Sequence, residues 1–277
     1  QRNANSICFG QDDVPELAFE KAKIIYNFGA DFLETWGRPV ENARRLSESN
    51  AFDGKTKSEL VHISPHVSLT GAKADRWVVI NPGSEAMVAL SIASVIRDQK
   101  GGYDFLSGML AAFTPEKVAE ATGVPAEKMK ELAQKFIENS PGLALGGGPS
   151  SRNSNLTSLH MAINILNVVS GNLGKTVFFH DQPAPENTSH QNLVQLIKDL
   201  KAGKVDLLIV DDSDPLYALP NSTGIKEALK NTFTVSLASQ KNDTSSEADL
   251  QLPALTDYES WGDAFPRSGV RSVRQPV

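Results

Sequence analysis

The sequence predicts an α/β fold of two lobes with mainly parallel sheets. Three observations carry that prediction. Short apolar runs bounded by turn residues alternate with stretches of helical periodicity, which implies parallel strands joined by right-handed crossovers. One strand–turn pattern occurs twice, as Ala22-Lys-Ile-Ile-Tyr-Asn-Phe-Gly-Ala-Asp-Phe-Leu33 and Val205-Asp-Leu-Leu-Ile-Val-Asp-Asp-Ser-Asp-Pro-Leu216. The likeness continues downstream. Val61-His-Ile-Ser64, Ala74-Asp75 and Trp77-Val-Val-Ile80 follow the first copy; Phe233-Thr-Val-Ser236, Ala248-Asp249 and Leu250-Gln-Leu-Pro253 follow the second. A unit built twice predicts lobes whose strands 23–28 and 205–210 superpose under a pseudo-twofold. Ligands of open α/β sheets sit outside the carboxyl ends of strands. Two such units would hold the halves of one large ligand, or two related ligands.

In order, residues 23–28 read as the first strand and 29–39 as its loop. A short helix with a charged face (Glu41, Arg44, Arg45) covers 40–49, and a Gly-containing loop covers 52–58. Strands follow at 60–64 and 76–80, the second stopped by Asn81-Pro82-Gly83. Ser84 is the N-cap of a well-buried helix carrying Met87, Leu90, Ile92, Val95 and Ile96. Thr114-Pro115 and Val124-Pro125 open the two helices of a hairpin. The lobe boundary is placed just after it, giving lobes 1–140 and 141–277. In the second lobe, strand 143–145 leads through Gly146-Gly-Gly-Pro-Ser-Ser-Arg152 into a helix from Asn155. Then come strand 176–179, a Pro-rich loop, helix 191–201, the repeated strand, helix 222–230 and strand 232–237. Beyond Trp261 the tail reads as irregular.

With 27 basic and 33 acidic side chains the net charge is −6, which argues against a general nucleic-acid binder. The single cysteine, Cys8, excludes an internal disulfide framework and any CxxC metal or iron–sulfur site within these residues. The most apolar stretch, 87–96, is too short to span a bilayer. The opening Gln1-Arg-Asn-Ala-Asn-Ser6 is polar and loop-like, lacks an initiator Met and has no signal-peptide pattern. It reads as the start of a piece of a longer protein.

No catalytic constellation and no metal site is legible. The five histidines (His62, His66, His160, His180, His190) show neither HxH nor HExxH spacing, and no Ser has a GxSxG setting. Gly146-Gly-Gly-Pro149 before a helix can cradle phosphate on exposed N–H groups; a plain strand-to-helix loop has the same composition. Glu85 at a helix start complements the helix dipole without any ligand, or accepts from the N–H edge of a guanine. Asp211-Asp-Ser-Asp-Pro215 has the carboxylates of a Mg²⁺ loop and equally the chemistry of a turn.

Several stretches resemble the molybdopterin oxidoreductase (dimethyl sulfoxide reductase) family. They are Phe28-Gly-Ala-Asp-Phe-Leu-Glu-Thr-Trp36, Ser68-Leu-Thr-Gly-Ala-Lys-Ala-Asp-Arg-Trp77, Pro82-Gly-Ser-Glu85, Ala162-Ile-Asn-Ile-Leu-Asn167 with Gly171-Asn-Leu-Gly174, Ala248-Asp-Leu-Gln-Leu-Pro253 and Glu259-Ser-Trp-Gly262. The resemblance covers nearly the whole chain, in the family's order. The wording of residues 30–36 and 258–262 is most similar to the branch holding the periplasmic B subunit of alternative complex III, a membrane quinol-oxidising complex; the polysulfide and thiosulfate reductase type is near it.

The resemblance implies two pseudo-twofold-related domains, each holding one half of a bis-molybdopterin guanine dinucleotide. By position, Gly29, Ala30 and Asp31 would line the first nucleotide, with Pro82, Gly83 and Glu85 on its guanosine side. Gly147, Ser213, Asp214 and Pro215 would line the second. It also implies iron–sulfur and membrane subunits as partners, and a periplasmic location. Three departures stand against a working site. The second turn is Asp212-Ser-Asp-Pro215 where the family has a Gly-x-Asn-Pro type, and paired carboxylates would repel a pyrophosphate by roughly 1 kcal/mol per pair at ~4 Å. His66 stands where many members carry Arg. The family's metal-ligand and iron–sulfur parts lie outside these residues. Expected functions are therefore a scaffold segment without its own cofactor, a piece of a catalytic bis-pterin enzyme, or a nucleotide-binding module without a redox role.

Overall fold

The central strand owes its position to five consecutive buried residues. Ile24–Phe28 alternates its side chains between two apolar layers and so needs cover on both faces. The computed structural model describes residues 1–51, 57–148, 155–180, 190–267 and 270–277. They divide into two compact units, Gln1–Asp181 and Gln182–Val277.

Unit 1 opens with helix α1 (Arg2–Phe9), closed by Gly10 in the left-handed region at φ 68°. Then come β1 (Glu16–Leu17), β2 (Ile24–Phe28), α2 (Pro39–Ser49), β3 (Glu59–Ile63), α3 (Leu69–Ala72), β4 (Arg76–Val78) and α4 (Glu85–Lys100). After α5 (Ser107–Leu110), the hairpin of α6 (Pro115–Thr122) and α7 (Ala126–Glu138) leads to β5 (Gly142–Gly146), α8 (Leu156–Ser170) and β6 (Val177–Phe178). Strands β4-β3-β2-β5 form one sheet, parallel throughout. One face carries Ile24, Tyr26, Val61 and Val78 against Val88, Ile92, Leu132 and Phe136 of the helices. The other carries Ile25, Leu60 and Leu143 against Phe19, Phe32 and Leu46. Each such fully buried aliphatic or aromatic side chain contributes about 1.5–3 kcal/mol. On α2, Arg45 turns inward and pairs with Glu16, Glu20 and Glu41, so part of the expected charged face is a contact with β1.

The expected boundary between residues 140 and 141 falls inside unit 1. Residues 142–146 are all buried and pair in parallel with β2, Ile24 beside Gly142 through Phe28 beside Gly146. An apolar run with no polar face is stable only as an inner layer, and β2 offers the free edge. The N-terminal run is also not a loop. Asn5 of α1 is fully buried, donating to the Asp13 carbonyl at 2.7 Å and accepting from Asn164 of α8 at 2.9 Å.

Unit 2 contains α9 (His190–Lys201), β7 (Leu207–Val210), α10 (Pro215–Ala218), α11 (Ile225–Leu229), β8 (Phe233–Ser236), α12 (Asp243–Glu247) and β9 (Leu250–Gln251). Its sheet, β7-β8-β9, is parallel, with α9 and α11 packed on one face. The tail expected to be irregular is an antiparallel hairpin, β10 (Gly262–Arg267) with β11 (Val270–Arg274). Its polar alternation hides a strand pattern that has no buried face, and Arg274 pairs with Asp257 beside it.

Candidate functional site

Because β2, β3, β4 and β5 are parallel, the loops leaving their carboxyl ends gather at one edge of the unit 1 sheet. Residues 29–31, 64–66, 81–85 and 147–148 all lie there. Gly29 takes φ 76°, a left-handed turn natural only to glycine. It brings Asp31, 6% exposed, onto the start of α3. The Asp31 carboxylate accepts from the Thr70 amide at 3.1 Å and the Thr70 hydroxyl at 2.6 Å. Burial works to raise this carboxyl, but the bonds from Thr70 and the Ser68 hydroxyl outweigh it and hold it below the usual range.

Beneath this loop lies a buried polar chain. Asn27 holds the turn by accepting from the Ala30 amide and donating to the Ala30 carbonyl. Its amide nitrogen also lies 3.1 Å from His62 Nδ1, and His62 Nε2 lies 3.1 Å from the His66 carbonyl. An amide NH₂ donates, so Nδ1 accepts and Nε2–H donates to the carbonyl. Burial lowers the His62 pKa, which agrees with this neutral tautomer.

At the start of α4, Glu85 is only 2% exposed and its Oε1 has no hydrogen-bond partner. Burial raises its carboxyl, partly offset by the amides of Glu85 and Gly83 and by nearby His66. Ser84 does not cap α4 through its side chain; its hydroxyl donates instead to the Asn81 carbonyl at 2.6 Å.

Gly147 was grouped with residues 213–215, yet it follows β5 in unit 1 and its amide donates to the Phe28 carbonyl at 3.2 Å. A Cβ there would lie 2.8 Å from His160, and one on Gly148 would lie 2.4 Å from the Gly29 carbonyl. Close packing therefore accounts for both glycines without a phosphate. Residues 149–154, the rest of that loop, lie outside the described residues. His160 is buried, which pushes its pKa down to about 4.

Unit 2 repeats the arrangement. Leu207 stands beside Phe233 as Ile24 stands beside Glu59, and Val235 beside Leu250 as Val61 beside Arg76. This register matches residues 61–64 with 235–238, two positions later than the sequence pattern had them. Asp75 accepts from the Leu60 amide at 2.9 Å, and Asp249 from the Thr234 amide at 2.7 Å. Asp214 then matches Asp31, and accepts from the Thr244 amide at 3.1 Å and its hydroxyl at 2.5 Å. Further amides from Tyr217 and Asp243 reach it, and against the effect of burial these bonds hold its carboxyl below the usual range. Asp214 is thus no special departure of the second turn. The departure is Asp212, which sits where unit 1 has Gly29 and takes φ 39° with its carboxylate exposed, within 3.4 Å of the Ser239 hydroxyl. Ser213 is exposed, and Pro215 is the first residue of α10.

Sequence reasoning missed Asn27, His62, Thr70 and Thr244. The two threonines were findable by carrying the repeat through the start of α3 and α12; Asn27 and His62 have no counterpart in the second copy. Among the described residues no three His, Cys, Asp or Glu side chains group as metal ligands, and no helix is long and apolar enough to cross a membrane.

The fold and site define a mixed α/β protein with parallel sheets and a strand–loop–helix unit used twice. No known family model matches it. The menaquinone reductase molybdopterin-binding-like subunit of Nitratidesulfovibrio vulgaris is 27% identical over 281 residues, 93% of this chain and 40% of that protein. The dimethyl sulfoxide reductase of Haemophilus influenzae is 26% identical over 186 residues, 56% of this chain and 23% of that one. The acetylene hydratase of Pelobacter acetylenicus superposes with a TM-score of 0.70 over 98% of this chain and 48% of its own, at 16% identity, a likeness of fold. The chain is thus similar to proteins named for molybdopterin binding and dimethyl sulfoxide reduction, and it spans less than half the length of each.

Proposed function

We propose that the chain is a molybdopterin-oxidoreductase-like segment of a subunit in a membrane-associated, quinol-oxidising complex of the alternative complex III type. In this reading it acts as a periplasmic scaffold beside iron–sulfur and membrane subunits, with no pterin cofactor of its own. Asp212 carries the reading. A nucleotide pyrophosphate at the end of β7 would meet an exposed carboxylate where unit 1 has bare Gly29 backbone, so the residues present do not fit that group. The molybdopterin-binding-like relative supports it by its name. Metal analysis of the purified full-length protein tests it: stoichiometric molybdenum or tungsten overturns the reading.

One observation favours the alternative, a catalytic bis-pterin molybdenum or tungsten oxidoreductase of the polysulfide or thiosulfate reductase type. The orphaned Glu85 Oε1 fits the N–H edge of a guanine. Pro82, Gly83 and Glu85 would then hold the guanosine, with Gly29, Ala30 and Asp31 along the nucleotide. The bound cofactor would supply the redox-active metal. Calorimetric titration with guanosine diphosphate, with and without Mg²⁺, separates the readings. Micromolar binding lost in Glu85→Ala supports the alternative; silence in both titrations supports the scaffold.

A further inference from the structure

The sheet of unit 2 has one covered face and one bare face. Alternation along β7 sends Leu208 toward α9 and α11, where it packs beside Ile197, Leu200 and Ile225. The opposite face carries Leu207, Ile209, Phe233, Leu250 and Leu252, which are 54%, 57%, 52%, 42% and 50% exposed, around a buried Val235. Leu207 lies beside Phe233, Ile209 beside Val235, and Val235 beside Leu250, so the patch is continuous. None of these six side chains is charged. Parallel sheets are stable with both faces covered, and a contiguous apolar patch marks a contact surface where single exposed residues do not.

Unit 1 shows what the repeat places on this face. The matching positions Ile24, Tyr26, Val61 and Val78 are buried under helices: α4, which leaves the end of β4, brings Val88, Ile92 and Ile96, and α7 brings Leu132 and Phe136. Glu59 and Arg76, which match Phe233 and Leu250, pair with each other at 2.7 Å. The charges at the far end of α4, Arg97, Asp98 and Lys100, lie in its last turn. In unit 2 the chain leaves β9, turns at Thr256–Glu259 through a hydrogen bond of 3.0 Å, and enters the β10–β11 hairpin. Among the described residues of unit 2 no helix lies over Leu207 and Ile209.

We propose that this bare face is the seat of an α-helix of the same kind as α4, supplied by the same polypeptide outside these 277 residues. Its contacting side would be aliphatic and small, with its charges at the ends, since the face offers no partner for a buried charge. The duplicated register gives the place and the kind of element. The relatives give the room for it, since the chain spans 40% of the menaquinone reductase subunit. The inference does not depend on whether a pterin is bound.

The test is photocrosslinking in the full-length protein from its source, with p-benzoylphenylalanine replacing Phe233 and, as an exposed control, Tyr217, which is 82% exposed. The expected result is an intramolecular crosslink from position 233 to a helical segment outside residues 1–277, with none from 217. A second measurement, Ile209→Lys in the same protein, is expected to lower the melting temperature by several degrees. Crosslinks to another subunit, to a second copy or to residues within 1–277 overturn the proposal. So does labelling at 233 no greater than at 217, or an unchanged melting temperature in Ile209→Lys.

Discussion

The carboxylate of Asp31 takes both the amide and the hydroxyl of Thr70, at 3.1 and 2.6 Å, and so ties the loop after β2 to the first turn of α3. Asp214 and Thr244 make the same pair in unit 2, at 3.1 and 2.5 Å. A carboxylate that satisfies the free amides of a helix start also complements its dipole. The repeated aspartates thus hold the strand-end loops in shape, whatever those loops contact.

Thr70→Val is expected to destabilise the protein by about 1.5–3 kcal/mol, the range for a buried hydrogen bond to a charged group. It also strips the Leu33 amide of its acceptor, the Thr70 hydroxyl at 3.1 Å. The pH dependence follows from the lowered Asp31 carboxyl. A depressed folded-state pKa contributes stability above the unfolded value of 3.8, and that stability is lost as pH falls through the folded value. Urea midpoints at pH 7 and pH 3 measure both effects. Thr70→Val should narrow the gap between the two pH values.

Asp212 occupies a left-handed turn, φ 39°, that unit 1 assigns to Gly29 at φ 76°. Aspartate tolerates this region better than most residues, whereas alanine has no polar group to compensate. Asp212→Ala is therefore expected to cost about 1 kcal/mol, and Asp212→Gly to be at least as stable as the parent. Thermal melts of the two variants check this. Equal losses in both would mean that the carboxylate contact with Ser239, not the turn, sets the residue.

Gly71 lies against His62. A Cβ at residue 71 would come within 2.7 Å of His62 Cδ2 and 2.9 Å of Nε2. The ring cannot swing away, because it is fully buried and held at one end by Asn27 and at the other by the His66 carbonyl. Gly71→Ala is expected to cost about 1–3 kcal/mol by overpacking. Combining it with His62→Ala should recover part of that loss if the clash is the cause, as a double-mutant cycle of melting data reads directly.

Much of this architecture was legible from period and repetition. The runs at β2, β3 and β7 are short and mostly apolar, and Gly, Pro and Asp mark their ends, so local chemistry alone defines them. The repeat exposed the likeness of the two units because strand and turn residues recur in order. Its register was misread by two residues, since apolar alternation looks the same after a shift of two. The unit boundary was not legible, because nothing local in residues 142–146 says which free edge they join. Glu85 was visible as a helix-start acid, but its orphaned oxygen depends on how the Asn81–Ser84 turn closes over it. The bonds of Asp214 were hidden because their donors lie about thirty residues away, in α12.

Glu85 gives a pH signature of the opposite sign. Its carboxyl is raised by burial, and the amides of Glu85 and Gly83 and the charge of His66 offset only part of that. A carboxyl raised in the folded state destabilises folding once both states are ionised, and not at all below the unfolded value of 4.5. Glu85→Gln removes the ionisation and keeps a carbonyl oxygen for the two amides. It also brings an NH₂ into a place where Oε1 has no partner, so its own desolvation limits the gain. The variant is therefore expected to improve relative to the parent as pH rises from 4 to 7, whatever the absolute offset between them. Melting temperatures of both proteins across that range measure it. A constant difference would mean that the carboxyl titrates alike in the folded and unfolded chains. A difference that shrinks as pH rises would mean that the amides of Glu85 and Gly83, with His66, hold the carboxylate ionised more firmly than burial opposes it.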